Sequence, residues 1–456
     1  MEQLSTTPHI AIVPSPGISH FTAFTEFAKR LVHRHSFSIT FVIPNDGSLS
    51  KAQQSLLGSL PPSIAHVLLP PVTLDDLPAE TTRIETIIAL MLARSLRNEV
   101  RRLQKSTRLV ALVVDFFGTD AFNMAEEFSV SPFLFFPGAA MCLSLFLHLS
   151  TLDEAVSCEY RDLPELVKIP SYIPVHGRDL LEPVHDCHND THKWVLHHAR
   201  RCRLAKGILL NSFEELEPKV IEYLQGEELS KPLVYSVGPL VNIKQSSKSD
   251  GSECLKWLDE HPKCSVLYVS FGSGGTLSYD QIQELALGLE MSEHMFLWVM
   301  RTPNDIAAEA AYLARDSQNE PFEGLVVSLW VPQAQVLAHS SIGGFLTHCG
   351  WNSTLESMLN GVPLFAEQRI NACMLTQDIK VALRPSADPE SGLVGRDVIP
   401  KVVKRLMRGE EGKRIRNRMK ELEDAAAKVL GEDRSSTRAL SELALIWKAK
   451  LKNQPH

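Results

Sequence analysis

Short apolar runs alternate with longer amphipathic stretches along the whole chain, and this alternation limits the fold more than any other feature. Runs such as IAIVP, SITFVIP and LVALVVDFF read as strands buried on both faces, and helical patterns lie between them. Strands are expected at His9–Pro14, Phe37–Pro44, Leu109–Phe116, Pro132–Phe136 and Lys206–Asn211, then at Ser265–Phe271, Met295–Arg301, Leu325–Leu329, Gly343–Thr347 and Val362–Phe365. Such a series builds βα units and parallel sheets, the α/β class.

The 456 residues allow two or three domains. Around Val241 to Glu253 the sequence (VNIKQSSKSDGSE) turns polar and loses its apolar period, with four serines and one glycine in thirteen residues, which marks a linker. The expected organisation is two Rossmann-like domains, 1–240 and 254–456, facing each other across a cleft, since open α/β sheets bind ligands beyond the carboxyl ends of their strands. The last helical stretch, Lys413 to Lys452, is rich in helix formers, and packing back on the first domain is one option for it.

Composition removes several classes. With 44% apolar and 22% charged residues the chain is neither disordered nor collagen-like, and a net charge of -8 gives no reason to expect a nucleic-acid partner. Eight cysteines without a C-x-x-C pair fit reduced thiols, and Met1–Thr7 carries no basic region or cleavable apolar stretch, so a cytoplasmic protein is expected. Ser131–Ser150 approaches membrane-spanning length, but Pro132, Pro137, Gly138 and His148 interrupt it; a buried strand followed by a buried helix is expected instead.

The most informative segment is Trp330–Asn360, WVPQAQVLAHSSIGGFLTHCGWNSTLESMLN. A strand ends at His348, Gly350 makes a tight turn, and a helix starts around Trp351 to Ser353. Backbone N–H groups at that start suit a diphosphate. Ser353 with Glu356 three residues later also fits a capping box, which is a structural role for Glu356 without any ligand.

HCGWNSTLES resembles the signature box of the plant secondary-product UDP-glycosyltransferases, and the resemblance extends through PHIAIVPSPG, LVVDFFGTDAF, ECLKWLD, VLYVSFGSGG and ELALGLEMSE. The branch it most resembles glucosylates hydroquinone. The resemblance implies a GT-B fold with the sugar nucleotide held mainly by the second domain, no metal, and UDP-glucose and a small phenol as partners. It implies that Trp330 stacks on the uracil, with Val331 and Gln333 beside it, and that Glu356 holds the ribose hydroxyls. His348, Trp351, Asn352, Ser353 and Ser273 fall to the diphosphate side, and Glu367 and Gln368 to the transferred glucose.

In the first half, His20 follows the strand His9–Pro14 through Gly17, at a strand-to-helix junction. A neutral imidazole there can take the proton of an acceptor hydroxyl as it attacks the anomeric carbon. The resemblance marks His20 as that base, and Asp115 at the end of LVALVVD as its partner, with inversion to a β-glucoside; Asp120 is a competitor that could simply start the next helix. Phe116, Phe117 and the run Phe133–Leu147 suit either an aromatic acceptor pocket or the core. His185, Cys187, His188, His192, His197 and His198 crowd metal-ligand types into fourteen residues, but their spacing matches neither H-E-x-x-H nor a paired-Cys finger, so a solvated helix and loop is expected. A dinucleotide-dependent oxidoreductase is disfavoured because FGSGG and SPGIS lack the G-x-G-x-x-G spacing.

Three departures from the family pattern stand out. Ser19 precedes His20 where a glycine is usual, and the stretch Pro321–Trp330, PFEGLVVSLW, is short. Val362–Gln368 (VPLFAEQ) also lacks about five residues, or about 16 Å of extended chain, found in relatives. Displacing Glu367 and Gln368 by even ~1 Å costs on the order of 100-fold in rate, so the alternative to an active phenol glucosyltransferase is a relative that binds ligand without turnover.

Overall fold

The computed structural model describes residues 7–44, 49–71, 94–156, 158–185, 187–226, 231–241, 252–272, 277–300, 324–328, 331–366, 369–388 and 391–452. The chain divides into two compact units, Met1–Val241 with Lys428–His456, and Asn242–Ala427.

The first unit holds seven parallel strands, β1 (Pro8–Val13), β2 (Ser38–Ile43), β3 (Ile64–Leu68), β4 (Arg108–Val114), β5 (Ser131–Phe136), β6 (Gly207–Leu210) and β7 (Leu233–Ser236), in the order 3-2-1-4-5-6-7. The order reverses between β1 and β4, which pair directly with Val13 opposite Val114. Helix α1 (Ile18–His35) buries Phe21, Phe24, Phe27, Ala28 and Leu31, a stripe along one helix face, and the Phe24 ring lies 4.3 Å from that of Phe135 of β5, tilted by 31°. Each such aromatic or leucine contributes about 1.5–3 kcal/mol of burial.

Ser131–Ser150 splits as its sequence predicts into β5 and helix α2 (Ala140–Ala155), buried nearly all round. No helix of the described residues is long and apolar enough to cross a membrane. The first amides of α2 have no local cap; Glu217 reaches them from 77 positions away, accepting from Ala140 N at 2.8 Å and Met141 N at 2.9 Å. Helix α3 (Asp190–Arg201) is capped by Asn189, whose side chain accepts from Thr191 N.

The second unit holds β8 (Val266–Ser270), β9 (Met295–Met300), β10 (Gly324–Ser328), β11 (Ile342–Thr347), β12 (Leu364–Ala366) and β13 (Ala382–Leu383), all parallel in the order 10-9-8-11-12-13. Here the reversal falls between β8 and β11. Two short helices follow strands on that side: α4 (Gln333–Leu337) and α5 (Trp351–Leu359). In β12, Leu364, Phe365 and Ala366 stand opposite Phe345, Leu346 and Thr347 of β11.

The C-terminal helix α6 (Ser435–Lys452) belongs to the first unit. Trp447, 1% exposed, packs edge-on against Phe37 at 5.9 Å and Phe133 at 5.1 Å, and Lys450 Nζ donates to Ser129 O and Ser131 Oγ. The second unit therefore ends at Ala427 rather than at residue 456, because the apolar face of α6 is completed by the first sheet. Of the proposed linker, 242–251 lie outside the described residues.

Every strand expected from the sequence is present. Three more, β3, β7 and β13, were not legible: β3 is half exposed and closes one edge, while β7 and β13 are short strands at the other edges.

Candidate active site

Each sheet presents polar side chains at its point of reversal, where the loops after two adjacent strands leave in opposite directions and open a crevice. In the first unit these loops follow β1 and β4. His20, in the first turn of α1, places Nδ1 3.0 Å from Asp115 Oδ2, just after β4. Ser15 N donates to the same oxygen at 2.9 Å, so the loop after β1 holds the carboxylate by its backbone as well. Asp115 is fully buried and the His20 side chain is 28% exposed.

A carboxylate offers only acceptors, so Nδ1 carries the proton and donates it to Asp115. That tautomer leaves Nε2 with a lone pair, the form a general base requires.

Asp120, the competitor, is engaged elsewhere. Its Oδ1 lies 2.9 Å from His197 Nε2 and 3.0 Å from Arg201 Nε of α3, and it makes no side-chain cap to the helix it precedes. His198, beside it, is fully buried; Nδ1 meets Thr119 Oγ1 at 2.7 Å, and burial pushes its imidazole down to about 4. The histidine-rich segment is thus no solvated helix: His185, His192 and His198 are all buried, because α3 packs on α2. Of the aromatic run, Phe133 and Phe135 go into the core, while Phe116 stacks on Phe146 at 4.4 Å and meets Phe117 edge-on at 5.4 Å.

In the second unit the loops follow β8 and β11. His348 leaves β11 with its ring between two glycines. A side chain on Gly272, after β8, or on Gly350 would overlap that ring, and Gly272 also takes φ +78. Burial pushes the His348 imidazole down to about 4, so it is neutral at pH 7 and can donate one N–H.

Cys349 makes the turn with φ 58, its carbonyl held by Asn371 Nδ2 at 2.8 Å, and Gly350 becomes the N-cap of α5. Gly350 has no side chain to cap the helix it starts, and backbone N–H groups at such a start suit an anion. Trp351 and Ser353 are buried there, and Asn352 is half-buried.

This register undoes the expected capping box. With Gly350 as N-cap, Ser353 and Glu356 share a helix face and both turn to Gln333, the first residue of α4. Gln333 Nε2 donates to Ser353 Oγ at 3.0 Å and to Glu356 Oε2 at 2.7 Å, and Tyr268 donates its hydroxyl to Gln333 Oε1 at 3.3 Å. Burial pushes the Glu356 carboxyl up to about 7, against the opposing hydrogen bond from Gln333. Val331 is buried beside α4. Ser273, Trp330, Glu367 and Gln368 lie outside the described residues.

Four contributors were not anticipated: Ser15, Tyr268, Gly272 and Asn371. Only Gly272 carried a sequence signal, as a glycine directly after a strand; the others act through contacts between elements distant in sequence.

Residues 230–387 match the family model described as UDP-glucoronosyl and UDP-glucosyl transferase. The chain is 56% identical over 466 residues to hydroquinone glucosyltransferase of Rauvolfia serpentina, covering 98% of this chain and 99% of the relative. It is 54% identical to UDP-glycosyltransferase 72B1 of Arabidopsis thaliana, with 98% of each covered. Among solved structures, Phytolacca americana UGT2 complexed with UDP-2fluoro-glucose and pterostilbene superposes with a TM-score of 0.89 at 46% identity, covering 98% of this chain and 100% of that one. The two parallel-sheet Rossmann-like domains are those of the GT-B fold, whose UDP-sugar transferases need no metal ion. The chain belongs to the UDP-glucoronosyl and UDP-glucosyl transferase family and is a UDP-glycosyltransferase of the plant type.

Proposed function

We propose that the chain transfers glucose from UDP-glucose to a hydroxyl of a small phenol such as hydroquinone, with inversion to a β-O-glucoside. The observation that carries this reading is the His20–Asp115 pair, which leaves an imidazole nitrogen ready to accept a proton. The relative's name, hydroquinone glucosyltransferase, and the fluoroglucose nucleotide and pterostilbene bound by the Phytolacca protein support the donor and acceptor classes.

In this mechanism the phenol gives its proton to His20 Nε2 as its oxygen attacks the anomeric carbon, the bond to the UDP oxygen breaks, and Asp115 stabilises the imidazolium. Positioned general-base catalysis of this kind contributes roughly 10²–10⁴-fold. Glu356, oriented by Gln333, takes the ribose hydroxyls, and Trp330 stacks on the uracil with Val331 beside it. The start of α5, with Trp351, Asn352 and Ser353, and the neutral His348 take the diphosphate together with Ser273. Glu367 and Gln368 take the glucose. Eight cysteines with no disulfide among the described residues support a reducing, cytoplasmic location.

Incubation with UDP-glucose and a panel of phenols, with UDP and glucoside both quantified, tests the reading. Equimolar UDP and phenyl β-glucoside are expected. Nucleotide binding without glucoside would instead favour the turnover-deficient alternative, for which no observation speaks at present.

A further inference from the structure

A second polar cluster lies within the first unit, away from His20 and Asp115 in sequence, and transfer gives it no role. Asp153 sits near the end of α2, Cys187 follows the helical turn Glu182–His185, and His192 lies in the first turn of α3. His192 Nε2 stands 3.1 Å from Asp153 Oδ1, and one ligand atom from each of the three residues lies within 4.8 Å of the other two. The His192 side chain is 2% exposed.

Tyr160 supplies an independent sign that the cluster has unmet bonding capacity. It is fully buried, its ring centroid is 6.3 Å from that of His192, and its hydroxyl has no hydrogen-bond partner among the described residues. The loop carrying Cys187 is fixed from outside by Glu159, which accepts from Cys187 N at 2.8 Å and meets His188 Nδ1 at 2.7 Å.

We propose that Asp153, Cys187 and His192 form a binding site for a divalent transition-metal ion of the Zn²⁺ class, with the Tyr160 ring beside His192. Thiolate, imidazole and carboxylate together are the donor set of zinc, whereas magnesium and calcium require oxygen donors. Zinc bonds of about 2.0–2.3 Å put tetrahedral ligands roughly 3.3–3.8 Å apart, so the donors, now within 4.8 Å of one another, close by at most about 1–1.5 Å on binding. On binding, the Cys187 thiol proton passes to solvent and the sulfur coordinates as thiolate. Such an ion joins the end of α2 to the start of α3 and takes no part in sugar transfer.

Titration of the full chain with Co²⁺ alone, as a spectroscopic substitute for Zn²⁺, tests this. One equivalent is expected to give a near-ultraviolet thiolate-to-cobalt band and strong four-coordinate visible bands, abolished by added Zn²⁺. Cys187→Ser should lose the near-ultraviolet band, and His192→Gln should weaken binding at least ~10-fold; Cys158→Ser and Cys264→Ser, at exposed thiols, should retain both features. A spectrum of hydrated six-coordinate cobalt, or a thiolate band that survives Cys187→Ser, would overturn the proposal. Should Cys187→Ser fail to fold, Asp153→Asn decides, since unchanged cobalt affinity in that variant is equally contrary.

Discussion

His20 and Asp115 meet at 3.0 Å although 95 positions separate them, because β1 and β4 are neighbours where the first sheet reverses its order. The same carboxylate oxygen also accepts from Ser15 N, so the backbone holds it alongside the imidazole. Asp115→Asn preserves shape but presents an amide that can donate to Nδ1, which favours the tautomer with its proton on Nε2. The expected result is a loss of kcat of up to about 10⁴-fold with KM for UDP-glucose nearly unchanged, read by steady-state kinetics.

Gly272→Ala tests the donor side. The new methyl group would overlap the His348 ring and force an alanine into φ +78, a conformation costing about 1–2 kcal/mol in itself. A shifted His348 should weaken UDP binding at least ~10-fold in calorimetry, while the first unit, and with it phenol binding, stays unaffected.

Glu356 predicts a pH dependence of nucleotide binding. Its carboxyl is raised to about 7 in the protein, so it is progressively protonated as pH falls through that value. The ionised form is the better acceptor for ribose hydroxyls, so UDP affinity should fall as pH drops from 8 to 6, by at most ~10-fold per unit. Stability moves the other way: the native state holds a proton that the unfolded chain gives up near 4.5, so this group favours folding at low pH and loses that contribution as pH rises through 7. Glu356→Gln should bind UDP more weakly at pH 8 and show a flatter profile.

Trp447→Ala addresses the C-terminal helix. Removing a fully buried indole that packs on Phe37 and Phe133 should destabilise the first unit by about 3–5 kcal/mol, read by denaturant unfolding.

The sequence was legible wherever burial alone decides structure. Central strands such as Leu109–Val114 are uninterrupted apolar runs, whereas β3 is mostly exposed and β13 spans two positions, so neither stands out from loop. Resemblance paired His20 with Asp115, and the two do meet, but spacing misread Glu356 as part of a capping box. Ser-x-x-Glu is the same pattern whether it caps a helix or faces a second one, and only Gly350 as N-cap decides between them. The cluster at Cys187 was hidden for a related reason: Asp153 comes from 34 positions upstream, so no local spacing shows it.

The most direct measurement compares the native chain with His20→Ala, quantifying UDP release, glucoside formation and UDP affinity on the same preparations. The account predicts a phenyl β-glucoside from the native chain, a roughly 10²–10⁴-fold loss of turnover in the variant, and equal UDP affinity in both. Near-native glucoside formation by His20→Ala would contradict it.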